Sequence, residues 1–191
     1  VSANTTIDNS GSVLSSGTVT MEAMEKLTNS GKIETDTNAI LVSDGDMFNV
    51  GDITALKLID LDSHGTFTNT GTAAAGQDVI ITAEGNITNE STITATELLR
   101  VDSRSGDIVS SGELVSTEGS VDIGATDGNV TVTDVKAKMM AGAGSATGNV
   151  TVDHIEGDAV VLYTKSENGK VLLTKDAVSG RYLVIKPNDF R

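Results

Sequence analysis

The sequence contains no cysteine and no tryptophan, and aromatic residues make up only 3% of its 191 residues. The absence of cysteine excludes disulfides and zinc–thiolate sites. Because aromatic side chains are scarce, a packed core must be thin and aliphatic, and the 38% of hydrophobic residues are enough to form one. The single proline, Pro187, and the 20 glycines indicate turns built on glycine, and the frequent Thr, Ser, Asn and Val favour β structure.

Basic residues are also scarce, since 13 Lys and Arg stand against 27 Asp and Glu and give a net charge of −14. Such a surface repels nucleic acid and anionic membranes, because it offers no basic patch to neutralise phosphates. No apolar run approaches the length of a membrane span. No basic-then-apolar leader opens the chain, and a start at Val1 without Met is expected of a mature product or an excised piece.

Internal repetition is the dominant feature of the sequence. One apolar position recurs at intervals of 20–22 residues, and its nine members are Ile7, Leu27, Met47, Phe67, Ile87, Ile108, Val130, Val150 and Val171. Most of them follow a glycine by two residues, and the first five precede an asparagine by two residues: Asn9, Asn29, Asn49, Asn69 and Asn89. Each repeat contains three short runs in which apolar and polar residues mostly alternate, which is the pattern of half-buried strands.

A repeat of about 20 residues is too short to bury its own apolar face, so it must stack on its neighbours. We therefore predict an all-β fold, a right-handed parallel β-helix of about nine coils with three short strands per coil, in one domain covering residues 1–191. The recurring apolar residues form its core stack. The asparagine series predicts a ladder in which each side-chain amide bonds the amides above and below. The recurring glycines are predicted to occupy turn positions with positive φ.

The third run of each repeat carries an apolar cluster, which includes Ile40 with Val42 and Ile80 with Ile81. The same pattern predicts that Tyr182 belongs partly to the core. The stretch 139–146 lacks strong strand formers, which indicates either a bulged, flexible side of the rod or a tight turn of small residues.

The regularity of the repeat divides the chain into regular Asn-x-Gly coils over 1–105, more irregular coils over 106–169 and a basic C-terminal coil or cap over 170–191. Residues 170–191 hold five basic and two acidic residues, a net charge of +3, and residues 1–169 hold 8 basic and 25 acidic residues, a net charge of −17. No amphipathic helix is predicted to cover the exposed strand edges at either end. We expect an end-to-end contact between rods, with ordinary solvated surface as the alternative, through Asp8 and Glu22 at one end and Lys175, Arg181, Lys186 and Arg191 at the other.

Two phrases of the sequence, Leu27-Thr28-Asn29-Ser30-Gly31-Lys32-Ile33 and Gly85-Asn86-Ile87-Thr88-Asn89, resemble the repeats of filamentous haemagglutinin-type exoproteins. These proteins belong to bacterial two-partner secretion systems and include adhesins and contact-dependent inhibition stalks. The resemblance extends over nearly the whole chain, most clearly residues 3–125. It implies a right-handed β-helical shaft that is extracellular and often attached to the bacterial cell surface. The Asn-Pro-Asn motifs of the family's secretion domain are absent, so a shaft segment or a separately evolved relative is expected.

The sequence predicts no enzyme, no catalytic residue and no metal site. His64 stands at a turn and His154 in an alternating strand, and both are expected at the surface. Asp62, Asp102 and Asp122 could form an outward acidic column that binds Ca²⁺ through oxygen ligands or supplies an acid and a base. Its simpler role is solubility. Two cations nearby in sequence are expected to pair with these acids: Arg100 and Arg104.

Function is predicted accordingly as an extracellular structural or adhesive rod without a cofactor. Its expected partners are another copy joined head to tail or the remainder of a longer chain, together with a glycan or protein on a host or neighbouring cell. Nucleic acid and a membrane span are not expected. The alternative is a carbohydrate-binding or polysaccharide-degrading protein that uses one face of the same rod. Other β-helical classes stay open: phage tail fibres, surface-layer proteins and intracellular cytoskeletal polymers.

Overall fold

The 20-residue period gives the chain its architecture. The computed structural model describes residues 1–187, and in it each repeat forms three short strands that pair in parallel with the equivalent strands of the next repeat. The strands stack as a β-solenoid of about nine coils, as the sequence predicts. The described residues contain no helix. It follows that none of residues 1–187 belongs to a helix long and apolar enough to cross a membrane.

Three parallel sheets run along the rod, one for each strand of the coil. The first sheet contains Thr6–Asn9 (β2), Lys26–Asn29 (β5), Asp46–Asn49 (β8), Phe67–Asn69 (β11), Ile87–Asn89 (β14) and the opening parts of Ile108–Ser116 (β17), Val130–Ala137 (β19), Val150–Thr164 (β21) and Val171–Pro187 (β22). The second sheet contains Ser12–Ser15 (β3), Lys32–Thr35 (β6), Asp52–Ala55 (β9), Thr72–Ala75 (β12), Ile93–Ala95 (β15) and later parts of β17, β19, β21 and β22.

The third sheet contains Ser2–Ala3 (β1), Val19–Ala23 (β4), Ala39–Ser43 (β7), Leu58–Ser63 (β10), Asp78–Ala83 (β13), Leu98–Ser103 (β16), Ser120–Ala125 (β18), Met140–Ser145 (β20) and the final parts of β21 and β22. The turns between sheets are sharp in the first five coils. From the sixth coil on, the first two strands merge into one bent strand whose pairing shifts register at the bend, between Ser110 and Glu113 in β17. The extra residues of the later repeats lie mainly at the corner from the third sheet to the next coil, where Ile108 follows Leu99 by nine residues and Ile87 follows Val79 by eight.

The recurring apolar series forms one continuous column inside the rod. Each member pairs in register with the next, from Ile7 on Leu27 through to Val150 on Val171. The members from Leu27 to Val150 are buried. The alternating pattern therefore sets which face of each strand forms the core, and stacking of the coils completes the burial.

The recurring glycines do not serve the purpose that the sequence suggests. Gly128, at a φ of 159°, is the one described glycine with a positive φ, and that value is close to extended backbone. Their role is instead close approach between coils. A Cβ on Gly51 would overlap the carbonyl oxygen of Gly31, and a Cβ on Gly31 would overlap that of Gly11. The prediction of left-handed turns is wrong, because stacking at the corner of the coil selects glycine there.

The third sheet contains four further departures from the sequence pattern. Ile40, Val42 and Ile80 point outward and are half-buried, and the smaller Ala39 shares the inward side of β7 with Leu41. The reason is register, because β7 pairs with β4 at an offset of 20 residues, which places Ala39 beside the inward Val19. A one-residue slip to bury the larger side chains would turn the whole strand over. Tyr182 is also exposed, at 52%, so its predicted place in the core is wrong.

The stretch 139–146 forms a regularly paired strand, so it is neither a bulge nor a turn. Met140–Ser145 forms β20, a regular strand between β18 and β21, and most of its residues are buried. Ala141 and Ala143 face the core, and Gly142 and Gly144 lie on the outward side. Small residues are accommodated here because the ring of Tyr163 from the next coil packs on Gly144, where a Cβ would collide with it.

Candidate functional site

The predicted asparagines lie in one column of the first sheet, in which the first is half-buried and the other four are buried: Asn9, Asn29, Asn49, Asn69 and Asn89. Each side-chain Nδ2 donates to the Oδ1 of the next asparagine at 2.7–2.8 Å. The column ends where the Nδ2 of Asn89 donates to the hydroxyl of Ser110 at 3.0 Å. The ladder satisfies polar groups inside the core, so its role is structural.

A second polar column, absent from the sequence prediction, lies outside the rod at the corner just before the first sheet. Its members stand one residue before the core stack: Asp46, Thr66, Asn86, Asp107, Asn129, Asn149 and Lys170. Here the side-chain oxygen of one coil accepts the backbone N–H of the next, as in Asn149 N–H to Asn129 Oδ1 at 2.9 Å. From Asn86 to Lys170 the column is continuous. The signal that would have found it is Asp or Asn repeatedly preceding the core residue.

The three predicted aspartates do not form one column. Asp62 and Asp102 share a column but are two coils apart, with Thr82 between them. Asp122 lies in the neighbouring column, paired with Arg100. The Arg100 guanidinium lies 3.8 Å from the Asp102 carboxylate and 3.6 Å from that of Asp122, too far for direct hydrogen bonds.

Arg104, the other predicted partner of these acids, instead pairs with Glu84 at the adjoining corner. Within residues 1–187, no three His, Asp or Glu side chains are placed together to hold a metal ion. The Ca²⁺ column considered from the sequence therefore has no counterpart in this geometry, because Thr82 separates two of its aspartates.

A small polar cluster nevertheless forms around Arg100 on the outward surface of the third sheet. Burial and the charge of Asp122 raise the pKa of the Asp102 carboxyl, and Arg100 opposes them by lowering it. Burial, Asp122 and Asp102 raise the pKa of the Tyr163 phenol. The Tyr163 ring lies over Gly144 of β20, in the same column as Asp102. The arrangement can accept and donate hydrogen bonds, but Tyr163 occupies the trough that the glycines leave.

The two histidines lie at the surface, in columns of acidic residues. His64 is 3.2 Å from Asp44 and 3.9 Å from Asp62. His154 lies between coils, with its Nδ1 2.5 Å from Asp176 and its Nε2 4.0 Å from Asp134. Within residues 1–187, the recorded ion-pair partners of both rings are carboxylates, so both histidines act here as partners of acidic side chains.

The residues predicted for an end-to-end contact lie at the two ends of the rod. Asp8 and Glu22 are exposed on the outward side of the first coil. On the last coil, Lys175 pairs with Asp153 at 3.0 Å and Arg181 pairs with Asp158 at 2.8 Å, so both bind acids of the coil beneath. The other two predicted cations are Lys186, which is exposed, and Arg191, which lies outside the described residues.

The two ends differ in how well their inward side chains are covered. In the last coil, Leu183 is 45% and Ile185 is 41% exposed, although Val160 directly beneath Leu183 is fully buried. At the first coil, Met21 is only 2% exposed. There β1 pairs with the end of β4, and the amino group of Val1 donates to the carbonyl of Thr20 at 2.6 Å. The last coil is thus the more open end.

Comparisons with protein-family models, with curated proteins and with solved structures found no match to this chain.

Proposed function

We propose that this protein is an extracellular structural or adhesive rod whose ends are continued by further β-solenoid. The observation that carries the proposal is the open last coil. Its strand β22 pairs with β21 along one edge, and no described residue pairs with the other. Inward-facing Leu183 and Ile185 remain more than 40% exposed there. An uncovered parallel edge above an apolar core is a template for another strand.

The regular outline of the rod supports a structural role. Repeats of 20–22 residues leave short corners between the three sheets, so within residues 1–187 no long loop builds a cleft on the rod. Ligand and catalytic sites usually need such a concave surface. Outward carboxylates along the rod favour solubility over lateral aggregation.

Charge supports continuation at the ends. Residues 1–25 contain Asp8, Glu22 and Glu25 and no Lys or Arg, and residues 165–187 contain five cations and two acids. Opposite charge on two surfaces promotes encounter and orients the partners. The resemblance of the repeats to haemagglutinin-type exoproteins supports an extracellular, adhesive setting for the rod.

Electron microscopy of the purified chain across a concentration series tests the proposal. The expected result is thin filaments that lengthen with concentration, with an axial repeat of about 43 Å for nine coils at about 4.8 Å each. Short particles at every concentration would contradict self-assembly. Binding to glycan arrays and bacterial cells, without turnover of the glycan, is the expected adhesive result. Release of reducing ends from a polysaccharide would overturn the structural assignment.

The alternative, a carbohydrate-binding protein, is favoured by one specific feature, the cluster of Arg100, Asp102, Asp122 and Tyr163. Guanidinium and carboxylate groups separated by 3.6–3.8 Å leave room for bridging hydroxyl groups or water. Because the chain has no Trp and two tyrosines, the variant Tyr182→Phe makes Tyr163 the only tyrosine reporter. A change in its fluorescence with neutral oligosaccharides, abolished by Asp122→Asn, would support this alternative. An unchanged spectrum throughout would remove it.

A further inference from the structure

The two end coils carry columns that continue one another. In the last coil, Leu183 and Ile185 are the final inward members of the two columns that begin with Val19 and Met21 in the first coil. All four residues are apolar. A first coil placed on a last coil would therefore continue each column with an aliphatic side chain and remove the exposure of Leu183 and Ile185.

The outward columns continue as well. The column of the second sheet that begins at Leu14 ends at Val178, and these residues are 66% and 46% exposed. The column of the third sheet that contains Glu22 in β4 ends at Lys186. The same superposition would thus bring one apolar pair together and place a carboxylate above an ammonium group.

We infer that the first coil of one copy stacks on the last coil of another in the register that relates neighbouring coils within the chain. The joint rests on the proposed function and specifies its partner, a second copy of this chain. It is heterologous, head to tail, so it repeats without closing and produces an open filament. Parallel pairing would extend each of the three sheets across the joint.

Strand β1 occupies a position that this joint requires. Ser2–Ala3 of β1 pairs with Glu22–Ala23, and Lys186 and Pro187 are the last-coil members of the same two columns. Both segments would occupy one level of the third sheet, so β1 must leave when a second copy arrives. β1 is held by two residues of pairing, by backbone hydrogen bonds from Glu22 N–H to Val1 and from Met24 N–H to Ala3, and by one bond from the Val1 amino group. In place of β1, the last coil of the other copy provides six residues for pairing, 182–187.

Cysteine cross-linking tests the register, since the chain has no cysteine of its own. Equal amounts of the Leu14→Cys and Val178→Cys variants are mixed and oxidised. Residues in register on adjacent strands have Cα atoms about 4.8 Å apart, within the range that a disulfide spans. We expect a disulfide-linked dimer from this mixture. The control pairs Leu14→Cys with Leu172→Cys, an equally exposed residue of the last coil that lies on a different sheet, and we expect at least about tenfold less dimer.

A second variant tests displacement of β1. Ala3 packs partly against the core, so Ala3→Asp should release β1 by placing a charge there. The concentration needed for filaments should then fall roughly tenfold, the size of effect that one lost contact produces. Ser2→Asn, which changes a polar side chain on the exposed side of β1 without adding a charge beside Glu22, is the control and should not lower that concentration.

Three outcomes separate the joint from the proposed function. Filaments together with the Leu14–Val178 cross-link support both. Filaments whose cross-linking does not exceed that of the Leu172 control overturn this joint and leave the rod-like assembly standing. Absence of filaments and of cross-linking at all concentrations, including for the Ala3→Asp variant, overturns the joint together with self-assembly.

Discussion

The first five coils and the last four coils of this rod share one fold but satisfy their polar groups differently. The first half carries a buried asparagine ladder and sharp corners closed by stacked glycines. In the second half, Ser110 and then Val132 occupy the position of the ladder asparagines. There, the side-chain oxygens of an exposed corner column of Asn and Asp accept hydrogen bonds from the backbone N–H groups of the next coil. The comparison shows that the continuous polar column between coils passes from the interior to the corner of the rod, and the two columns overlap at Asn89 and Asn86.

The largest expected effect tests whether the two halves fold as one unit. Ile87, 1% exposed, lies in the last regular coil, between Phe67 and Ile108. Ile87→Asp places an unpaired charge in the core, so we expect a loss of about 4 kcal/mol or more and a single unfolding transition. Denaturant unfolding followed by circular dichroism measures this. Two separate transitions, with the second half intact, would show that the halves fold independently.

Two glycine substitutions compare the corners of the first half with β20, the strand of small residues in the second half. A Cβ on Gly51 would overlap the carbonyl oxygen of Gly31, whereas a Cβ on Gly142 would meet nothing closer than 3.7 Å. We expect Gly51→Ala to cost about 2–3 kcal/mol by overpacking and Gly142→Ala to cost less than about 0.5 kcal/mol. Thermal unfolding midpoints compare them. Equal losses would remove inter-coil contact as the reason for glycine in the first half.

The two polar columns are compared by removing one amide from each. Asn49 is 2% exposed and both donates to and accepts from neighbouring amides, so Asn49→Ala should cost about 1–2 kcal/mol. Asn129 is exposed and water can replace its bonds, so Asn129→Ala should cost about half as much or less. Chemical denaturation of both variants gives the ratio. A neutral Asn49→Ala would remove the buried ladder as a source of stability.

The smallest effect depends on pH and belongs to the second half alone. The pKa of Asp102 is raised in the folded protein, so folding favours its protonated form. The stability that protonation contributes is present below the ordinary carboxyl pKa and is lost as pH rises through the raised value. Asp102→Asn should therefore stabilise the rod slightly at neutral pH, by about 0.5 kcal/mol or less because the side chain is 44% exposed, and leave it unchanged in acid. A stability gain that persists at pH 3 would contradict this.

Sequence periodicity was sufficient to predict the fold, since the interval between Ile7 and Leu27 already implies stacked coils. It also predicted which asparagines share a column. It could not predict that Ile40 points outward, because pairing with the neighbouring strand outweighs the hydrophobicity of a single residue. Nor could it reveal why position 144 is glycine, since the ring of Tyr163, one coil later, occupies the space that a Cβ on Gly144 would fill. The contacts between neighbouring coils cannot be predicted from the sequence of a single repeat.

The asparagine ladder gives the rod an internal direction. Every amide in it donates toward the C-terminal end and accepts from the N-terminal side, as Asn29 does between Asn9 and Asn49. Turning a single amide over would set two N–H groups face to face on one side and two oxygens on the other. The side-chain amide of each coil must therefore have the same orientation as the amide of the coil before it. The interior of the rod therefore has a fixed polarity along its axis, independent of its ends.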